Sequence, residues 1–383
     1  MRYTIVTETY PPEINGVALT VQRLERGLRA RGHAVTVVRP RQGRQDSAAA
    51  HEHLVPGAPL PRYPGLRLGF PSARRLKRLW RQSTPDALYV ATEGPLGWSA
   101  VRAARRIGIP VATGLHTRFD EYMRDYGAAA LTGLALGWMR HFHNRADATL
   151  VPTRELARFL GGKGFRNVVH LPRAVDGNRF SPVHRDPALR AAWGLAEKDL
   201  AVLYLGRIAA EKNLDLAVRS FRAIQQHRPD ARFVWIGDGP ERSRIEQDNP
   251  DFVFCGMQRG EALARHCASG DLFPFPSRSE TFGNVTLEAL ASGVPTVAFD
   301  YGAAREHLRD GLDGRTVPDG DEAAFIAAAQ ALALDDALRA DMAIQCPRAV
   351  ATLRPEQVAA DLDAVLEGLA NARAPAGATA EPS

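Results

Sequence analysis

The sequence predicts an α/β protein of two doubly wound, Rossmann-like domains facing a cleft. Three observations carry that prediction. Short apolar strands alternate with helical segments; the alternation restarts after Leu171-Pro172; and 383 residues suffice for two domains of ordinary size. Strand–helix alternation with connections of this length puts parallel strands in a sheet covered on both faces. Ligands of such sheets bind beyond the C-terminal strand ends.

The first half reads as follows. Tyr3–Thr7 is an apolar strand, Val17–Ala30 a helix stopped at Gly32, and Ala34–Val38 a second strand. Pro40 to Pro71 is less regular and rich in Pro, Gly and Arg. Ser72–Gln82 is a basic helix, Ala87–Val90 a strand, Leu96–Ile107 a helix and Pro110–Gly114 a strand. Leu131–Asn144 is a helix and Ala148–Val151 a strand. In the second half Leu200–Leu205, Arg232–Ile236, Phe252–Phe254, Leu272–Phe275 and Thr296–Phe299 are short buried strands, each followed by a helical segment. The expected divisions are therefore 1–172, 173–355, a final amphipathic helix at 356–370 (Glu356–Leu369 at its core) and a tail at 371–383. The tail is rich in Ala, Pro and Gly, a composition that reads as disordered.

Bulk properties narrow the function. A 45% hydrophobic content is that of a globular protein with an ample core. No apolar run approaches the ~18 residues of a membrane span, and Met1-Arg2-Tyr3 shows no secretory signal, so a cytoplasmic protein is expected. Cys255, Cys267 and Cys346 are odd in number and widely spaced, which fits neither a disulfide framework nor a zinc site. Residues 1–172 carry 26 Lys and Arg against 12 Asp and Glu, a balance of +14; the remainder carries 23 against 31, or −8. A basic first half suggests an anionic partner: a membrane surface, nucleic acid or a phosphorylated acceptor. The segment Ser72–Arg81 places Leu76, Leu79 and Trp80 on one helical side among cations. That stripe fits packing on the sheet or lying on an anionic bilayer.

The most telling stretch is Ser277-Arg278-Ser279-Glu280-Thr281-Phe282-Gly283-Asn284-Val285-Thr286-Leu287-Glu288-Ala289. It follows a strand and runs into a small-residue helix. Glu280 precedes the helix start and Glu288 lies inside the helix. Between them the amides of Phe282, Gly283 and Asn284 are free to bind an anion, with the helix dipole favouring negative charge. Phosphate-binding amides flanked by hydroxyl-binding carboxylates suit a nucleotide-diphosphate sugar. Arg207 follows the strand ending at Leu205, and Lys212 lies five residues on; both are placed to converge on a diphosphate, though alone they equally fit ordinary ion pairs. Gly237-Asp238-Gly239-Pro240 is a strand-end turn permitting close backbone approach. Pro11-Pro12-Glu13-Ile14-Asn15-Gly16 leads into a helix at Gly16, and its lack of G-x-G-x-x-G counts against a nicotinamide site. His116 and Glu93 each follow a strand; a buried structural histidine is the commoner role for the former. No H-E-x-x-H motif is present, so no metal is expected.

Together these residues resemble the retaining GT-B glycosyltransferases of family 4, in the branch of bacterial lipid-linked mannosyltransferases and glycosyl-diacylglycerol synthases. The resemblance spans nearly the whole chain. It implies that Gly16, Arg207 and Lys212 hold the donor diphosphate. Glu280, with the amides of Phe282 and Gly283, would bind the transferred sugar, and Glu288 the ribose. Val285 would line the nucleotide pocket, Asn284 and Gly237 would belong to the donor-binding residues, and His116 would contact the sugar near its 6-position. It further implies no metal or cofactor, retention of anomeric configuration, and a last helix crossing back to the first domain. The expected partners are a nucleotide-sugar donor, with GDP-mannose favoured over UDP-sugars, a lipid or lipid-linked acceptor, and an anionic membrane surface, with no nucleic acid. A nucleotide-sugar epimerase or hydrolase, and a non-catalytic basic surface binder, are the competing classes. Thr113 to Tyr126 departs from the pattern, which leaves the acceptor open.

Overall fold

The computed structural model describes residues 1–13, 15–43, 46–60, 67–116 and 132–373. The expected contribution of Thr117 to Tyr126, and the tail beyond residue 373, lie outside the described residues. The chain divides into two units: Met1–Arg173 with Pro355–Ser383, and Ala174–Arg354.

The first unit is built on β1 (Arg2–Val6), β2 (Ala34–Pro40), β3 (Glu52–Val55), β4 (Gly57–Pro59), β5 (Arg67–Gly69), β6 (Ala87–Val90), β7 (Val111–Gly114), β8 (Ala148–Val151) and β9 (Val168–His170). Seven of these form a parallel sheet in the order β3-β2-β1-β6-β7-β8-β9, while β4 and β5 pair antiparallel. In register, Ile5 lies beside Val37 on one side and Tyr89 on the other. Alternate residues reach opposite faces. Val6, Val38, Leu88 and Val90 pack with Trp80, Leu96 and Phe142, so the helices Ala73–Gln82, Pro95–Ile107 and Thr132–His143 share one face. Leu76 and Trp80 are each 1% exposed, so the apolar stripe of the basic helix packs into the core while Arg74, Arg75 and Arg78 remain exposed.

The last helix returns to this unit. It runs Pro355–Arg373, longer at both ends than expected, so Asn371 to Arg373 are helical rather than tail. It packs beside the helix Gly16–Ala30. Its buried Asp363 accepts from Tyr3 Oη at 2.8 Å and Arg31 Nε at 2.9 Å, and lies 2.8 Å from His33 Nε2.

The second unit contains β10 (Ala201–Leu205), β11 (Arg232–Ile236), β12 (Val253–Gly256), β13 (Phe273–Phe275), β14 (Thr296–Phe299) and β15 (Gly314–Val317). Two parallel three-stranded sheets, β10-β11-β12 and β13-β14-β15, meet through a parallel bridge between Val202 and Leu272. The resulting order, β12-β11-β10-β13-β14-β15, is that of a doubly wound domain with its switch point between β10 and β13. Ala201, Leu203 and Leu205 enter one core cluster, and Val202 and Tyr204 the other. Both faces are buried, which is why these strands read as continuous apolar runs. Tyr204 stacks on Trp235 with ring centroids 4.3 Å apart.

The described residues between Pro40 and Pro71 include more regular structure than the composition suggests. β3 extends the sheet from β2, and Arg39, 3% exposed, holds it in place. Its guanidinium donates to Asp46 at 2.7 Å and to Glu52 at 2.8 Å. The helix Arg154–Gly162 and strand β9 also escaped the sequence reading.

Candidate active site

The second unit gathers the predicted donor residues at the C-terminal ends of β10, β11 and β13. Arg207 leaves β10, and Lys212 closes a 3-10 turn, Ala210–Lys212, just before the helix Leu214–Gln225. Lys212 Nζ donates to Glu280 Oε1 at 2.6 Å, and Ser277 Oγ donates to the same oxygen at 2.9 Å. Ser279 Oγ donates to the Glu211 carbonyl at 2.8 Å, tying the loop before Glu280 to the loop that carries Lys212. Arg207 stands 3.6 Å from Glu211, and its carbonyl accepts from Tyr204 Oη at 2.8 Å. Residues 68 positions apart thus share one small polar cluster.

The helix beyond Glu280 spans Asn284–Ala291 and is capped by Gly283 at φ 94°, a left-handed conformation suited to glycine. No side chain caps this N-terminus. Among the described residues, the amides of Phe282, Gly283 and Asn284 donate no hydrogen bond, so they are available to an anion. Phe282 is 4% exposed and Val285 packs against the core, so these two residues set the helix start firmly. Glu288, half-buried, lies one to two turns further on. Its charge reaches Cys267, whose thiol is pushed well up by burial and then by Glu288.

Gly237 explains how the β10 and β11 turns meet. A Cβ there would lie 1.9 Å from the Gly206 carbonyl oxygen. Ile208 N donates to the Asp238 carbonyl at 3.0 Å across the same contact. The glycine turn is therefore a support for the Arg207 loop.

Gly16 and His116 belong to the first unit. Gly16 opens the helix Gly16–Ala30 as its first residue, with Asn15 as the cap accepting from Ala18 N at 2.8 Å. His116 follows β7 and is 9% exposed. Arg173 Nη2 donates to its Nδ1 at 2.5 Å, which leaves the ring proton on Nε2, 2.7 Å from Tyr89 Oη. Burial first, then the charges of Arg173 and His143, hold the His116 pKa well below its ordinary value, so the ring is neutral. Both ring nitrogens are engaged by protein, so the His116 side chain as placed leaves neither for a sugar hydroxyl. Arg173 and Tyr89 escaped the sequence reading; they lie 57 and 27 residues from His116 and carry no local motif.

Among the described residues no group of three or more His, Cys, Asp or Glu is arranged to hold a metal, and no helix is long and apolar enough to cross a membrane.

Comparison with known proteins places the chain. The family model described as Glycosyltransferase Family 4 matches residues 14–179, and that described as Glycosyl transferases group 1 matches residues 199–335. A GDP-mannose-dependent alpha-mannosyltransferase of Mycobacterium tuberculosis is 34% identical, over 84% of this chain and 85% of that protein. An alpha-monoglucosyldiacylglycerol synthase of Streptococcus pneumoniae is 26% identical, over 78% and 71%. The structure of sucrose-phosphate synthase from Thermosynechococcus elongatus superposes with a TM-score of 0.79 at 18% identity, covering 97% of this chain and 99% of that one. Two doubly wound domains matched in this way define a GT-B glycosyltransferase that uses a nucleotide sugar. The chain belongs to glycosyltransferase family 4 and is a hexosyltransferase.

Proposed function

We propose that the protein transfers mannose from GDP-mannose to a lipid or lipid-linked acceptor, with retention and without a metal. The observation that carries this reading is the Lys212–Glu280 pair beside the open helix start at Gly283. A leaving nucleoside diphosphate gains negative charge as the glycosidic bond breaks. Lys212, Arg207 and the amides of Phe282, Gly283 and Asn284 stabilise that charge more in the transition state than in the ground state. Glu280 orients the sugar hydroxyls and Glu288 the ribose. Gly16 gives the diphosphate close backbone approach. Three cationic or dipolar groups acting on the leaving group do the work a bound metal does elsewhere.

The mannosyltransferase relative supports the choice of donor, since its name specifies GDP-mannose and an alpha-mannosyl product. GDP-mannose is itself an alpha-glycoside, so an alpha product means retention. No carboxylate among the described donor residues is assigned as a covalent nucleophile. Front-face substitution, with the departing phosphate taking the acceptor proton, fits this arrangement; a glycosyl adduct trapped on any side chain would contradict it. A second reading, glucosyl transfer from a UDP-sugar to a glycolipid precursor, draws on the glucosyldiacylglycerol synthase relative. Action at the inner face of the cell membrane, by peripheral contact through the basic first unit, belongs to either reading.

A donor screen decides between them. Thermal shift with GDP-mannose, GDP, UDP-glucose and UDP should stabilise the protein with the guanine compounds. Stabilisation by uracil compounds alone favours the second reading, and a flat response to all four sinks both.

A further inference from the structure

An open cavity of about 370 Å³ lies on the first unit, between the helix Gly16–Ala30 and the start of β3. None of the residues assigned to the donor lines it. One wall is Glu25, 3% exposed. Three donors surround its carboxylate, each held back: Arg29 Nη1 at 3.3 Å, Tyr10 Oη at 3.4 Å and His51 Nε2 at 3.5 Å. Strong charge-assisted bonds are about 2.7–2.9 Å long. A buried carboxylate with only long contacts retains acceptor capacity toward the cavity.

Glu52, also in the lining, is held by Arg39 through Oε2 at 2.8 Å and 3.1 Å. Among the described residues its Oε1 accepts no hydrogen bond. Gln22 and the exposed Arg26 complete the lining with donors. The charges select the ligand. A cation entering meets Arg26 and Arg29, and an anion meets Glu25 and Glu52. A neutral ring bearing hydroxyls satisfies both sets, donating to the carboxylates and accepting from the arginine and the amide. The volume sits at the small end of ligand pockets, roughly 300–1,000 Å³, which suits a single ring.

We propose that this cavity binds one neutral sugar or polyol ring, with Glu25 and Glu52 accepting from its hydroxyls and Arg26 and Gln22 donating to them. The site shares no lining residue with the donor set and does not depend on its assignment. A free sugar and the headgroup of a glycolipid share this chemistry.

Saturation-transfer NMR on the full chain tests it, with methyl α-mannopyranoside and myo-inositol as neutral probes and mannose 6-phosphate and glucosamine as charged counterparts. The neutral probes should give signal, reduced at least fivefold in Glu25→Gln. A second variant, Gln22→Ala with Arg26→Ala, removes groups at the rim and should act alike if Glu25→Gln does not fold. Lys212→Met and Glu288→Ala should leave the signal unchanged. Vesicles carrying a glucosyl lipid that compete with the methyl glycoside identify a headgroup as the ligand; absence of competition identifies a free sugar. The proposal is overturned by no transfer to either neutral probe, by stronger transfer to a charged counterpart, or by loss of signal in the donor-site variants instead.

Discussion

Lys212 carries the sharpest prediction at the scale of single residues. Its ammonium and Glu280 are each about one-fifth exposed, 17% and 20% by side chain. Removing one partner of a pair this buried costs folding up to about 3–5 kcal/mol, less where another donor remains, as Ser277 does on Glu280. A group aimed at charge developing in the transition state is worth roughly 10²–10³ in rate. Lys212→Met should therefore lower kcat about 10²–10³-fold when assayed well below its own melting temperature, where the variant is fully folded. Equal loss of stability and activity would make Lys212 a structural residue. Glu8 carries a prediction about stability. Burial raises its pKa from 4.5 to about 7; bonds from the Leu96, Gly97 and Gly69 backbone oppose the rise, and Glu93 adds to it. Below pH ~4.5 Glu8 is protonated folded or unfolded. Between about 4.5 and 7 the unfolded chain ionises first, so stability falls as pH rises and levels off above 7. The cost is on the order of 3 kcal/mol. Denaturant melts of Glu8→Gln and the parent protein should therefore differ more in the variant's favour at pH 8 than at pH 4.5; a pH-independent gap contradicts this account.

Among the elements, the helix Ala73–Gln82 has only its cations left to offer, because Leu76 and Trp80 are spent on the core. The membrane contact proposed above would then be electrostatic through this helix and would weaken with salt. Co-sedimentation with anionic vesicles should fall severalfold when Arg74, Arg75, Lys77 and Arg78 are changed to Gln, and be near zero with neutral vesicles. Undiminished binding of the variant removes this helix from any membrane role. The elements also show what a sequence conceals. Ala87–Val90 and Arg232–Ile236 were legible to the residue, since strands buried on both faces are written as apolar runs. β3 was not, because its anchor is ionic: Arg39, Asp46 and Glu52 read as surface letters until their pairing is seen. That Lys212 and Glu280 lie together was legible because both sit beyond strand ends in local motifs. The Tyr89–His116–Arg173 contact was not, since only the fold brings those three together.

For the whole molecule, the central claim is that a family 4 fold positions Arg207, Lys212, Glu280, Glu288 and the Gly283 helix start to transfer a hexose from a nucleotide sugar. Residues 1–172 carry a balance of +14 and the rest one of −8, and the membrane contact proposed for the first half rests on that asymmetry. One measurement tests the claim most directly. GDP-[¹⁴C]mannose is incubated with the protein, a lipid extract and EDTA, and the label is followed into the organic phase and its linkage read by NMR. The account predicts lipid-borne label in an alpha linkage, undiminished by the chelator and lost in Glu288→Ala. Label that stays in the aqueous phase, or a beta-linked product, would contradict it.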